Sequence, residues 1–323
     1  MQTAILEAPG RFRLADLPPP RIVAHQVLLR VAACGVCTSE LDLWEGHAGL
    51  EGFPRSIGHE VSGIVEQVGA DVDQLTVGDR VAAWVTSHGF SEYVAVDAAH
   101  CFDAEGLPLD LALGEPLACA VNAVERADSR LADDVVIIGA GFMGSLVQKL
   151  VQLRGPRHLI VADTRPDALE RAARMGATHT VDVRSDSLVE VVRSATGGRG
   201  ADLTFEVTGS QSGLNAATDA TRMEGTLAIV GYHQGGSRSI PLGHWNWMAY
   251  RIANCHFRDV DTILHGMNTG MRLMRSGQIA LDDLVSHRFP IEKIENAFQT
   301  AHDKPPGFVK ATVVFPDPQN PAR

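Results

Sequence analysis

Residues 135–155 read VVIIGAGFMGSLVQKLVQLRG, and the order of the three pieces in this run decides the fold. A short apolar run rich in β-branched residues comes first, then Gly139-Ala140-Gly141-Phe142-Met143-Gly144, then a run with helical spacing of apolar residues. A Gly-x-Gly-x-x-Gly placed between strand and helix is a dinucleotide fingerprint. Gly139 permits the tight turn, Gly141 lets the backbone approach a pyrophosphate, and Gly144 lets helix and strand pack closely. Phe142 and Met143 open the helix, whose first amide groups face the phosphates. Asp163 lies nineteen residues beyond Gly144, at the end of the next apolar run, HLIVAD. A carboxylate there accepts hydrogen bonds from the adenosine ribose and repels a 2′-phosphate, which favours NAD over NADP. Arg165 is the nearby group that could instead accommodate a 2′-phosphate.

Outward from this unit, apolar runs at 135–139, 158–163, 179–183, 203–209, 226–231 and 252–257 alternate with amphipathic runs such as DALERAARMG. That alternation predicts a parallel sheet with helices on both faces, a doubly wound α/β domain. Upstream the period changes to that of strands: QTAILEA, RFRLADL, QVLLRVAACGV, VSGIVEQVG, DRVAAWV and SEYVAVD, separated by Gly, Pro, Asp and Ser. They predict a partly closed all-β domain, to which the last run, GFVKATVVF, returns. The expected division is 1–122 with 257–323 for the β domain and 123–256 for the dinucleotide domain. No internal repeat or low-complexity segment interrupts it.

The chain has 323 residues, 45% hydrophobic and 21% charged, a balance that supports two packed cores and argues against disorder. A net charge of −11 advertises no basic face to nucleic acid or to an anionic membrane. The first residues, MQTAILEAPGRFRL, lack the pattern of a secretory signal, and no later run is long and apolar enough to span a bilayer, so a cytoplasmic protein is expected. Five scattered cysteines do not form a disulfide framework.

Chemistry concentrates between Cys34 and Glu60, CGVCTSELDLWEGHAGLEGFPRSIGHE. A catalytic zinc takes three protein ligands of Cys, His or carboxylate type and leaves a fourth position open, so Cys37, His59 and Glu60 make a sufficient set. The spacing alone is common by chance. The segment resembles the signature of the zinc-containing medium-chain dehydrogenases, in which the metal Cys sits in a turn like Gly35-Val36-Cys37-Thr38-Ser39-Glu40 and the metal His in one like Gly58-His59-Glu60. The continuation GIVEQVGADVDQLTVGDRV, Gly63 to Val81, follows the same family almost residue for residue. The resemblance covers the whole chain, and implies a GroES-like β-barrel catalytic domain joined to a Rossmann coenzyme domain.

It also implies roles. Zinc would lower the pKa of a substrate hydroxyl while NAD accepts the hydride. Ser39 would take the proton, Asp42 stands where many members place the outer relay His, and Glu40 stands where an Asp usually orients the metal His. Asp42 has a second reading, a plain turn carboxylate. Trp84 to Glu92, WVTSHGFSE, has no cysteine where many members carry four for a structural zinc, so one zinc per chain is expected. Glu115, in GEPLACAVNA, replaces a frequent ligand Cys, as in the sorbitol and polyol dehydrogenase branch. There one glutamate ligates and the other holds the water on the metal; the choice between Glu60 and Glu115 stays open. His256-Phe257-Arg258 and Ser286-His287-Arg288-Phe289-Pro290 resemble runs of that branch, and Arg258 would face the substrate. Trp44, Phe53 and Trp84 are candidate pocket walls, Lys310 a candidate for the cofactor phosphates or else a solvated edge-strand lysine, and Cys119, His47 and His88 are expected to be unremarkable.

The expected activity is oxidation of a polyol or other secondary alcohol by a homodimer or homotetramer. The alternatives are a simple alcohol or amino-alcohol dehydrogenase, a zinc-free reductase, or a silent NAD-binding protein, against which the set Cys37, Ser39 and His59 argues.

Overall fold

The computed structural model describes residues 1–47 and 52–316. The end of the expected β domain at 317–323 lies outside the described residues. Contacts divide the chain into Met1–Ala118 with Leu264–Arg323, and Cys119–Ile263. Both divisions fall inside helices, because a helix continues its backbone hydrogen bonds whichever core its side chains join.

The first unit begins with β1 (Gln2–Ala8) and β2 (Arg11–Asp16), an antiparallel pair. Next come β3 (Gln26–Gly35), α1 (Thr38–Trp44), β4 (Glu60–Val68), β5 (Arg80–Trp84), β6 (Tyr93–Asp97), β7 (Cys101–Asp103) and α2 (Gly114–Arg126). β3 is the spine: β4 pairs along one edge, while β6 takes the first half of the other. Two register shifts in the β3–β4 ladder, at Leu28/Leu29 and Val31/Ala33, mark bulges. Bulges bend a strand and raise its twist, which lets a short sheet curl toward closure.

The second unit holds β8 (Asp134–Ile138), α3 (Phe142–Gln152), β9 (His158–Asp163), α4 (Pro166–Arg174), β10 (His179–Asp182), α5 (Leu188–Ala195), β11 (Ala201–Glu206), α6 (Gln211–Ala220), β12 (Thr221–Ile229), α7 (Leu242–Trp247) and β13 (Arg251–Asn254). The strands are all parallel, in the order β10-β9-β8-β11-β12-β13. Chain order reverses between β8 and β11, and in open α/β sheets the ligand crevice lies at the strand C-termini at such a switch. The fingerprint turn leaves β8 at that place. β8 is buried at every position, which is why it reads as a continuous apolar run instead of an alternating one. The strand expected at 203–209 stops at Glu206, because Glu206 Oε1 accepts Thr208 N at 2.7 Å and Gly209 N at 3.0 Å and so turns the chain. Asp134, at the opposite end of β8, receives Arg157 Nε at 2.8 Å, His158 Nδ1 at 2.9 Å and Arg199 Nη2 at 2.9 Å.

The chain then returns through α8 (Val260–Arg275), β14 (His287–Pro290), α9 (Ile294–Asp303) and β15 (Ala311–Val314). β15 pairs antiparallel with the end of β3, Thr312 opposite Gly35, and parallel with β14. The β domain is therefore discontinuous in sequence, as GFVKATVVF implied. Phe298 of α9 plugs its core, 4.8 Å from the Phe12 ring and 5.6 Å from that of Phe90. Among the described residues no helix is long and apolar enough to cross a membrane.

Candidate metal centre and coenzyme site

The end of β3 and the start of β4 lie side by side, Gly35 opposite Glu60. This register delivers Cys37, two residues beyond Gly35, to the same edge as His59 and Glu60. One ligand atom from each of Cys37, His59 and Glu60 lies within 4.8 Å of the others. Glu115 is not in this group, but its charge bears on Lys310.

The donors fit a zinc ion on two grounds. The first is their chemistry, one thiolate, one imidazole and one carboxylate. The second is how His59 is held. Glu40, on α1, is buried, and its Oε1 accepts Gly58 N at 2.6 Å and faces His59 Nδ1 at 2.9 Å. An ionised carboxylate only accepts, so Nδ1 carries the hydrogen and Nε2 is left for a metal. Glu40 Oε2 also accepts Cys37 N at 3.3 Å, tying both candidate ligands to one side chain. The longer Glu in place of the family's Asp thus still reaches the ring. Burial alone would lower the pKa of His59, but the Glu40 carboxylate and then the Cys37 sulfur outweigh it and hold the imidazole well above its ordinary range. Metal uptake must displace that proton.

Of the two cysteines in CGVC, Cys34 is fully buried, and burial first, then the Glu40 charge, push its thiol well up. Only Cys37 is placed for chemistry. Ser39 Oγ donates to Cys37 Sγ at 3.3 Å.

Lys310 departs from its expected place. It is 5% exposed, with Nζ 2.7 Å from Glu60 Oε1 and 2.6 Å from Oε2, in hydrogen-bond geometry to Oε1. A solvated edge lysine does not describe it. A buried carboxylate needs a counter-charge, and Lys310, just ahead of β15, supplies one. Gly35 makes the room: a Cβ there would meet Glu60 Oε2 at 2.0 Å and Lys310 Cε at 3.0 Å.

The candidate pocket walls are also redistributed. Trp44 packs its ring 6.2 Å from Phe298 and 5.9 Å from His302, and Phe53 packs on the same β-domain core. Trp84 lines a cavity of about 400 Å³ with Met1, Gln26, Tyr93 and His100, and Cys37, His59 and Glu60 are not among its lining residues. An aromatic residue close in sequence to a site can face either side of a sheet, and the sequence does not say which. Asp42 Oδ1 lies 3.7 Å from His47 Nδ1, which is also 3.2 Å from Glu45 Oε2. Glu45 in turn receives His302 Nδ1 at 2.6 Å, so this cluster links α1 to α9. His88, beside Ser87 at 2.7 Å, is exposed. Cys119 is partly buried. Arg258, in the second unit, is exposed and donates from Nη1 to Phe257 O at 3.0 Å.

The coenzyme candidates of the second unit lie at the turn between β8 and α3 and at the end of β9. A Cβ on Gly141 would meet nothing within 4 Å, whereas one on Gly144 would lie 1.8 Å from Gly139 O. Gly141 leaves space for a phosphate and Gly144 packs α3 on the turn, so the residues present fit a dinucleotide. Asp163 ends β9, accepting Ala140 N at 2.6 Å on Oδ2 and Arg165 N at 2.9 Å on Oδ1. Arg165 Nε stands 4.0 Å from that carboxylate, so Arg165 is drawn to Asp163 and does not stand alone as a phosphate site.

The Alcohol dehydrogenase GroES-like domain model matches residues 23–108, and the Zinc-binding dehydrogenase model matches residues 143–262. The sorbitol dehydrogenase of Gallus gallus is 30% identical over 92% of this chain and 92% of its own length. The chain belongs to the zinc-containing medium-chain dehydrogenases. The human sorbitol dehydrogenase is 29% identical over 92% of this chain and 91% of its own length. Among solved structures, 2R,3R-butanediol dehydrogenase from Bacillus subtilis is 25% identical, with a TM-score of 0.83 over 97% of this chain and 99% of that one. Zinc and NAD are the cofactors of such a protein.

One position in each unit escaped the sequence reading. The Lys310–Glu60 pair joins residues 250 positions apart, and no local pattern marks it. Arg171 had a visible signal: it falls on the buried stripe of α4 with Ala168 and Ala172, where an arginine is out of place.

Proposed function

We propose that this protein oxidises a polyol or other secondary alcohol with NAD, using a zinc ion held by Cys37, His59 and Glu60. The observation that carries this reading is the cluster of those three donors with Glu40 oriented on His59. Zinc supplies Lewis acidity to the substrate hydroxyl, and NAD accepts the hydride. The chain's own residues do the rest. Glu40 fixes the ring of His59, Lys310 compensates the Glu60 charge, and Ser39 receives the substrate proton at Oγ. Glu60 is the third ligand in this reading and Glu115 the alternative. Asp163 accepts from the adenosine ribose. Sorbitol and 2,3-butanediol both carry adjacent hydroxyls, and this supports a diol over a simple or amino alcohol. Arg258 has donors to spare for a second hydroxyl. β13 is an edge of its sheet with Ile252 exposed, and a second copy pairing there would give a homodimer, from which a homotetramer can be built.

The reading is tested by following nicotinamide absorbance with polyols, secondary alcohols and amino alcohols against both coenzymes. Turnover of a vicinal diol with NAD is the expected result; activity confined to amino alcohols, or no zinc requirement, overturns it. In the same assay wild-type protein is expected to prefer NAD, and Asp163→Ala to erase most of that preference. An unchanged ratio of the two kcat/KM values would remove Asp163 as the discriminator.

Glu40→Ala is expected to weaken zinc binding roughly 10- to 100-fold, the usual cost of losing the group that orients a ligand imidazole. Competition against a chromophoric chelator measures this directly, and wild-type affinity in the variant would show that Glu40 does not support the metal.

A further inference from the structure

Arg171 is 5% exposed, one of the few charged side chains buried in the second unit. It lies on the inner stripe of α4 with Ala168, Leu169 and Ala172. Burying a guanidinium there is costly unless its hydrogen bonds are made, so where they go is informative. Its Nη2 donates to Ala140 O, inside the fingerprint turn, and its Nε donates to Ser145 Oγ on α3 at 3.4 Å. From the other side, Ala140 N donates to Asp163 Oδ2 at 2.6 Å. Ala140 is therefore gripped at both backbone groups by opposite charges, the carboxylate of β9 on its N–H and the guanidinium of α4 on its C=O.

The grip has a directional consequence. In a planar trans peptide the C=O and the following N–H point in opposite directions. Drawing Ala140 O toward Arg171 turns the Gly141 N–H away from α4. On the Gly141 side a Cβ would meet nothing within 4 Å, the space left for a pyrophosphate approaching the start of α3.

We propose that Arg171 is a coenzyme-positioning residue: by holding Ala140 O it aims the Gly141 N–H at the pyrophosphate, and with Asp163 it sets the turn before the coenzyme arrives. The inference rests on the NAD reading above. It gives Asp163 a second task besides the ribose, and it assigns α4 a part in binding that its sequence position, well beyond the glycines, does not suggest.

The test measures binding rather than turnover, by calorimetry with NADH, ADP-ribose and adenosine on the full chain. Adenosine uses the ribose pocket but carries no phosphate. Arg171→Met is expected to weaken NADH and ADP-ribose about tenfold or more, the scale of a lost charged hydrogen bond, and to leave adenosine binding unchanged. Arg171→Lys, which keeps the charge and one donor and protects against a failure of the first variant to fold, is expected to lose ADP-ribose affinity by a smaller factor with adenosine again unchanged. Equal weakening of adenosine and ADP-ribose in either variant, or wild-type ADP-ribose affinity in both, overturns the assignment. Wild-type protein that binds neither NADH nor ADP-ribose would overturn the coenzyme reading itself, a result that is separate from any effect of Arg171.

Discussion

Cys37→Ala and His59→Ala are each expected to lose zinc and turnover together while still binding NADH. Wild-type protein should hold about one zinc per chain, because one group of three Cys, His and Glu donors lies at the end of β3 and the start of β4, and the stretch WVTSHGFSE offers no cysteine for another. Removing one of three protein ligands leaves two, too few for a site that must also keep a position open to substrate. The Lewis acidity thereby lost is worth several kcal/mol, so kcat/KM should fall on the order of a thousandfold or more. The two variants should differ in stability. Cys37→Ala removes a partly exposed thiol, whereas His59→Ala leaves the Glu40 carboxylate, 4% exposed in its side chain, without its imidazole. Losing the partner of a buried charged group costs about 1–3 kcal/mol, so His59→Ala should melt below Cys37→Ala. Metal analysis, turnover, NADH binding and a melting curve on the same preparations decide the matter. Either variant retaining a full equivalent of zinc would break the proposed ligand set. Loss of NADH binding along with the metal would instead indicate that the variant had unfolded.

Much of this arrangement could be read in advance, and the reason differs from part to part. The central strands β8 and β9 are short, apolar and buried along nearly their whole length, so VVIIG and HLIVAD declare themselves without reference to any partner. The fingerprint carries its own context of strand, glycines, helix and acid. The metal donors are legible because His59 and Glu60 are adjacent and Cys37 lies just beyond the strand that pairs with them. What stayed hidden depends on contacts across long stretches of chain. Lys310 reads like any edge-strand lysine until β15 is laid beside β3, where it becomes the counter-ion of Glu60. Trp44 and Phe53 sit in the right stretch of sequence to line a pocket, and the packing of Trp44 against Phe298, some 250 residues on, is a contact no local pattern announces. His47 looked incidental although Asp42 and Glu45 are its sequence neighbours, because it is the turn ending α1 that folds its ring back to them.

Ser39→Ala is expected to lower turnover in the alcohol-oxidising direction by about a hundredfold or more, the usual worth of positioned acid–base assistance, with zinc and NADH binding retained. The hydroxyl lies 3.3 Å from Cys37 Sγ, one of the residues that would hold the zinc. A hydroxyl both accepts and donates, so Ser39 can take the substrate proton and hand on its own. Asp42 is three residues further along α1, and residues so spaced are neighbours on one helix face. Its Oδ1 is 3.7 Å from the ring of His47, whose side chain is 65% exposed. The proposed proton route runs from Ser39 through Asp42 toward His47 and water, in a chain with Asp42 at the family's outer relay position. Asp42→Asn removes the acceptor in the middle of that route at almost no change in volume. It is expected to slow oxidation, and to slow carbonyl reduction too, since the same proton must travel back. Rates measured across pH with saturating coenzyme, together with zinc content, separate this effect from loss of metal. Should Asp42→Asn oxidise its alcohol at the wild-type rate throughout, Asp42 serves only to fasten α1 through His47, and the proton leaves Ser39 by another path. Should Ser39→Ala also keep its rate, no part of α1 beyond Glu40 takes part in the chemistry.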